Sequence, residues 1–282
     1  MSNIMIYHYT DLNAIQSVVE NNVFWLTDYR FLNDKEEYVR GYDILLESFS
    51  DFVCSYPNDS PELFGCISMA LDSIKSGEIR EKLESNRFFV GSFSRSPDTL
   101  SQWRSYGMFS LGVDDDKLMA LSKKQGRYYL ECHYIQDDGD ALEYAYELIA
   151  EKILPLLVDI WNNGEGHWKI DLELSLLIDI YALSFKNSAF YDEGEVRIVV
   201  SCEPDDEGIK FRSKGEYLVP YIELSVTPET IQEIMIGPVK NQEVADDSLT
   251  MFARKVSNKF KKSGCKEYEL VVDKSDIPYR SL

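Results

Sequence analysis

The chain has 282 residues, with 29 Lys and Arg against 49 Asp and Glu, for a formal net charge of −20. Hydrophobic residues at 44% and aromatics at 13% suffice for a sizeable core and exclude wholesale disorder. The acidity excludes a protein that coats nucleic acid or anionic membrane through bulk charge, but leaves room for a local basic cleft.

Ile4 to Tyr7 reads as a short strand. Thr10 or Asp11 can cap a helix running to about Asn22, with Leu12, Ile15, Val18 and Val19 on one face. Val23 to Thr27 is a strand, Asp28 to Asp34 a polar loop, and Lys35 to about Ser50 a helix with apolar residues at helical spacing. Turn residues mark Ser55 to Pro61 as a loop, and a helix is expected over Ile67 to Leu83. Arg87 to Ser94 and Phe109 to Val113 are strands flanking a compact insert, Pro97 to Gly107. Arg127 to Ile135 reads as one strand.

Two amphipathic helices follow, about Ala141 to Trp161 and about Lys169 to Phe185, separated by Gly164-Glu165-Gly166. They read as a helical insertion over about 140–186 in a single domain of residues 1–282. Glu195 to Ser201, Ile209 to Arg212, Tyr217 to Leu224 and Glu233 to Ile236 are strands, Asn241 to Lys262 is a helix, and Glu267 to Val272 is a last strand. Mixed order without strict βαβ alternation gives an α+β class with mixed or antiparallel central sheets.

The opening residues show no basic region and no apolar run of signal-peptide length. The most apolar later stretch, Leu172 to Phe185, is too short to span a bilayer and carries Glu173 and Asp179. Five scattered cysteines form no C-x-x-C pair, so neither a disulfide framework nor a zinc site is indicated. The expectation is a cytoplasmic protein with no membrane partner.

Phosphate-loop, dinucleotide-fingerprint, nucleophile-elbow and zinc-helix motifs do not occur. Three scattered histidines, His8, His133 and His167, do not suggest a multi-His metal centre, and no metal is expected. His133 reads as a packing or surface residue and His167 as a solvated one.

Four polar clusters interrupt apolar elements. His8-Tyr9-Thr10 closes the first strand, where it could bond a ribose or carbonyl, or serve as an edge residue and helix cap. Arg30, Asn33 and Asp34 form the second, and Gln102, Trp103, Arg104 and Tyr106 the third. Arg with amide and aromatic neighbours suits a phosphate and a stacked base; the alternative is a salt-bridged loop with a Trp anchored in the core. In the fourth, Glu193 and Glu195 flank Gly194 at the start of an apolar strand and would share a face. In a cleft their repulsion would raise at least one carboxyl pKa; in water they are a solvated strand entrance.

The strings YHYTDLNAIQSVVENNVFWLTDYRFLND, VGSFSRSPDTLSQWRSYG, FYDEGEVRIVV, IMIGP and IPYR, in that order from about Tyr7 to Arg280, resemble the bacterial family catalogued as domain of unknown function 2971. A strand ending in His-x-Thr, a helix of about ten residues and a short strand ending in a polar loop are also similar to the opening of ADP-ribosyltransferases of the His-Tyr-Glu type and of the DNA-targeting toxin branch. That resemblance implies an ADP-ribosyltransferase-like fold and NAD as substrate. It implies His8 on the nicotinamide ribose and Glu195, with Glu193 as second candidate, as the catalytic carboxylate. Arg30 and Arg104 would hold the pyrophosphate, with Thr10, Asn33 and Gln102 nearby. Tyr9, Tyr29, Trp103 and Tyr106 compete for the stacking role.

Breaking the glycosidic bond of NAD builds positive charge on the ribose, which a fixed carboxylate stabilises. The departing nicotinamide is neutral and the pyrophosphate wants Arg forks. The first reading is therefore an NAD-consuming transferase or glycohydrolase with a protein or nucleic-acid acceptor, in a bacterial toxin or phage-defence setting. The second is a catalytically silent nucleotide- or protein-binding module. A third, metal-assisted hydrolysis through Glu193, Glu195 and Asp34, needs converging carboxylates. The first reading predicts His8, Arg104 and Glu195 in one cleft. The basic helix face with Arg254, Lys255, Lys259, Lys261 and Lys262 is a local exception to the acidity, or a solvated face.

Overall fold

The computed structural model describes residues 4–32, 35–55, 60–76 and 87–278. The chain is of the α+β class, built on a mixed sheet with helices on both faces. The first unit follows the sequence closely: β1 (Met5–Thr10), α1 (Leu12–Asn21) and β2 (Val23–Asp28). Asp11 caps α1 by accepting from the Ala14 N–H at 2.9 Å, and Ile15, Val18 and Val19 form its buried face. After α2 (Lys35–Ser55) and α3 (Pro61–Ser76) comes β3 (Arg87–Ser94). The expected helix over Ile67 to Leu83 thus begins earlier, at Pro61, and its residues 77–83 lie outside the described residues.

The insert after β3 contains α4 (Leu100–Tyr106), followed by β4 (Phe109–Asp114) and α5 (Asp115–Lys124). The expected strand over Arg127 to Ile135 breaks at Cys132 into β5 (Tyr128–Glu131) and β6 (His133–Ile135), which pair with different partners. α6 (Asp138–Leu148) passes through a π-helical turn, Ile149–Ile153, into α7 (Leu154–Asn162). Pro155 lacks an N–H and crowds the preceding turn, which accounts for the change of winding inside the expected single helix. α8 (His167–Ala182), β7 (Phe185–Asn187), β8 (Glu195–Cys202), β9 (Lys210–Lys214), β10 (Tyr217–Ser225), β11 (Ile231–Ile236), α9 (Gln242–Lys262) and β12 (Val271–Lys274) complete the order. Among the described residues twelve strands stand where ten were read from the sequence, and the last begins four residues later than its sequence reading.

Ten strands form one sheet in the order β12-β11-β4-β1-β3-β2-β10-β9, with β8 lying against β3 and β5 against β8; β6 and β7 pair separately. β11–β12 and β6–β7 are parallel and the other pairs antiparallel. One face is covered by α2, α3, α6, α7 and α8, whose buried residues form one core with Phe88, Val90 and Val199. The helices of the segment read as an insertion, about 140–186, contribute to this layer. The other face packs α1, α5 and α9 over Phe89, Phe93, Leu111 and Val196. Among the described residues no helix is long and apolar enough to cross a membrane.

The strand that organises the site is β3. On one side it pairs with β8 along its whole length, Arg87 with Cys202 through Ser94 with Glu195. On the other its partners diverge: β1 meets it only at Ser94, through Tyr7, and β2 only at Phe89 and Val90. The edge from Gly91 to Phe93 is left facing a gap in the sheet.

Candidate functional site

A cavity of about 750 Å³ occupies that gap. Its walls are β1 from Tyr7 to Thr10, α1, Trp25 and Thr27 of β2, β3 from Val90 to Ser94, α4, the Glu193–Glu195 corner, and Arg212 to Lys214 of β9. Its size falls within the roughly 300–1,000 Å³ common to small-molecule sites.

His8 lies half-buried against the rings of Phe24 and Phe93, each centroid 5.5 Å away. Its Nδ1 stands 2.9 Å from the Ser92 carbonyl on the unpaired edge of β3. A carbonyl only accepts, so Nδ1 carries the hydrogen and Nε2 of the neutral ring is left as an acceptor. Burial lowers the imidazole pKa; the Ser92 bond opposes that and nearby Arg212 adds to it. The ring is therefore neutral at neutral pH.

The opposite wall is a closed ionic cluster. Lys186, on β7, donates to Glu193 at 2.5 Å and also to Glu195. Arg197 approaches Glu195 with Nε at 2.9 Å and a terminal nitrogen at 3.0 Å, and donates to the Leu183 carbonyl at 2.8 Å. All four side chains are buried, and two cations face two anions. Burial works against the Glu195 charge, but Arg197 and Lys186 override it and hold the carboxyl down at about 2. Burial likewise opposes the Lys186 charge, and the two carboxylates push its pKa above the ordinary lysine value. At Glu195 the cations outweigh any repulsion from Glu193. The Glu195 pKa falls rather than rises, because Arg197 and the buried Lys186 both lie against its carboxylate. Gly194, at φ 49°, makes the corner that turns both carboxylates onto Lys186. Glu193 closes a 3-10 turn, so only Glu195 belongs to the strand.

The third wall carries cations that the acids do not close. Arg212 donates to Thr27 Oγ1 at 3.1 Å and lies 5.6 Å over the Trp25 ring. Its Nε is buried and has no hydrogen-bond partner among the described residues. Lys214, exposed, stands at the mouth.

Of the residues singled out from sequence, His8, Tyr9, Thr10, Gln102, Tyr106, Glu193 and Glu195 line the cavity. Tyr9 is anchored by its hydroxyl on the Ser96 carbonyl at 2.6 Å and packs edge-on against Trp103, 4.5 Å away. Gly107, with φ 138°, lies so close to β1 that a Cβ there would come 2.2 Å from the Thr10 carbonyl oxygen, and this contact brings α4 to the cavity.

Four residues lie elsewhere. Tyr29, a stacking candidate, packs against Tyr38 with ring centroids 4.7 Å apart and does not line the cavity. Arg30 turns back onto Asp28, with Nε 2.9 Å from Oδ1. Trp103 is buried and donates to Asp98 at 2.7 Å. These two follow the salt-bridged-loop and core-anchor alternatives. Arg104 points outward from α4 and does not line the cavity. The expected convergence of His8, Arg104 and Glu195 is therefore met by His8 and Glu195 without Arg104. Asn33 and Asp34 lie outside the described residues. Arg212, Lys214 and Lys186 were not singled out, since a cation in a short polar strand reads as solvated and its role depends on distant pairing. His133 stacks on Tyr144 at 4.2 Å and bonds Asp140, while His167 opens α8 with Nδ1 2.7 Å from Cys66 Sγ.

The register fixes the relation between the two conspicuous walls. Tyr7, Ser94 and Glu195 form one row across β1, β3 and β8. Two strand spacings put Tyr7 and Glu195 roughly 10 Å apart at Cα. Side chains alternate, so Tyr7 shares the Glu195 face and His8 points to the other. A ligand touching both must pass through the gap in the sheet. No family model, curated protein or solved structure matches the chain.

Proposed function

We propose that the chain binds NAD in the sheet-gap cavity and breaks its glycosidic bond to nicotinamide, as an ADP-ribosyltransferase or NAD glycohydrolase on an ADP-ribosyltransferase-like fold. The observation carrying this reading is one nucleotide-sized cavity that joins His8, Glu195 and an arginine with an unpartnered buried Nε. Arg212 and Lys214 take the pyrophosphate role first given to Arg30 and Arg104, because they face the cavity and those two do not. The Nε2 of His8 is free to accept a ribose hydroxyl. Glu195, ionised throughout the neutral range, supplies the negative charge that an oxocarbenium-like ribose needs, in a site shielded from water. Lys186 and Arg197 hold that carboxylate in place. A toxin or phage-defence setting, and a protein or nucleic-acid acceptor, belong to this same proposal.

A second reading, nucleotide binding without chemistry, is favoured by the saturation of Glu195: both its oxygens already accept from Lys186 or Arg197. The metal reading is weakened because the Lys186 ammonium stands between Glu193 and Glu195, where a bridging cation would sit.

Purified protein incubated with NAD and followed for free nicotinamide separates these readings, with NAD binding measured in parallel. Release that disappears in Glu195→Gln and falls in His8→Asn, both still folded by circular dichroism, supports the transferase or glycohydrolase. Binding without release moves the protein to the second reading. Neither binding nor release overturns both.

A further inference from the structure

The molecule is strongly acidic, yet the C-terminal half of α9 is not. Taking Arg254 as zero and advancing about 100° per residue, Lys261, Arg254, Asn258, Met251, Lys262, Lys255 and Lys259 fall within about 160° of one side. All of them are exposed. The opposite side carries Leu249, Ala253, Val256, Ser257 and Phe260, buried against the sheet. Five of the 29 Lys and Arg in the chain therefore stand together on one arc of one helix.

None of these five cations has an ion-pair partner among the described residues. Glu243 and Asp246, at the start of the same helix, do have one: Lys274 reaches Glu243 at 3.3 Å and Asp246 at 3.0 Å. A helix macrodipole favours cations in the last turn, which covers Lys259, Lys261 and Lys262. It does not account for Arg254 and Lys255, two turns from the end. Like charges at helical spacing repel, so the cluster carries a small standing cost that a polyanion would remove.

We propose that this face of α9 docks the phosphate backbone of double-stranded nucleic acid. Met251 to Lys262 spans about 16 Å of helix. A duplex presents one charge per roughly 1.7 Å of axis, so that length faces on the order of ten phosphates, about half of them turned toward the protein. Five cations match that half. The arc carries Met251 as its sole large apolar side chain, where a helix that lies in a bilayer interface presents a broad apolar face. Screening over about 8 Å at physiological salt lets the patch act at contact while the bulk negative charge of the molecule is largely damped. The docking is to the backbone and without base readout, and it does not depend on the reaction proposed for the cavity.

The test is fluorescence anisotropy with a labelled 20-base-pair mixed-sequence duplex, made as DNA and as RNA, between about 50 and 200 mM salt. The expected result is binding whose logarithm falls with log salt at a slope of about −3 or steeper, set by three or more released counterions. The double reversal K255E/K259E should weaken binding at least about tenfold and flatten the slope by about 2. These exposed positions leave the buried face intact, and an unchanged thermal melt checks this. Reversal of the exposed pair Lys123 and Lys124 on α5 should leave binding unchanged. Absence of duplex binding at about 50 mM salt, binding indifferent to K255E/K259E, or binding to phosphatidylserine vesicles in preference to duplex would each overturn the proposal.

Discussion

The two ends of the cavity are built on opposite principles. At the Glu195 end every buried charge is answered: Lys186 and Arg197 against Glu193 and Glu195, with hydrogen bonds between them. At the Arg212 end the cation has a threonine hydroxyl and an aromatic face, and among the described residues it has no anion and its Nε is left unbonded. Buried ion pairs are retained only with good geometry, and breaking one leaves an uncompensated charge. A cationic fork beside an open cavity leaves its demand for an anion to a ligand. The closed end therefore holds a carboxylate in one place, and the open end is where binding energy is available. Substitutions at the two ends should fail differently, the first through stability and the second through affinity.

The largest effect is expected at Lys186. Lys186→Met removes one of the two buried cations that face Glu193 and Glu195 and should cost about 3–5 kcal/mol, read as a lower urea midpoint. A loss under about 1 kcal/mol would show that water already enters the cluster. Gly107→Ala comes next, because the added Cβ meets the Thr10 carbonyl in a backbone conformation that side chains rarely adopt. It should cost about 1–3 kcal/mol and loosen α4 from β1, measured as faster amide exchange in Leu100–Tyr106.

The acid limb follows. The Glu195 carboxyl lies near 2 in the fold against 4.5 for its ordinary value. Its contribution is therefore present above about 4.5 and is lost as pH falls toward 2. Lys186 is shifted upward, so its contribution holds through this range and fades only in strong alkali. Wild type should thus lose stability more steeply than Glu195→Gln between these two pH values, as measured by urea unfolding at successive pH. Equal slopes would mean that Glu195 is not held by its cations. The smallest effect is expected for Arg104→Ala, whose exposed side chain lies off the cavity. It should change neither nucleotide affinity nor stability by more than about 0.5 kcal/mol.

The legibility of the chain follows the same contrast between local and distant causes. β1, α1, β2, β3 and β8 were readable because their apolar periodicity and the Asp11 cap are written in consecutive residues. α5 was missed although its cap was present, Asp114 accepting from Lys117 at 3.0 Å; its few apolar residues gave too weak a stripe. The break at Cys132 could not be read, since alternation runs through Arg127 to Ile135 and only pairing with β8 and then β7 divides it. His8 and Glu195 were visible as polar interruptions of apolar strands. Lys186 was hidden at the end of an expected helix, and its partners lie seven and nine residues on, across a turn that sequence periodicity does not describe. Arg212 reaches the cavity because β10 carries β9 to the side of β2, a long-range register with no local signature.

The most direct test of the cavity assignment is equilibrium binding of ADP-ribose, measured by calorimetry on wild type, Arg212→Gln and Arg104→Ala. The account predicts that wild type binds, that Arg212→Gln binds at least about tenfold more weakly with an unchanged urea midpoint, and that Arg104→Ala matches wild type. Equal affinity in all three proteins, or loss at Arg104 rather than Arg212, would contradict it.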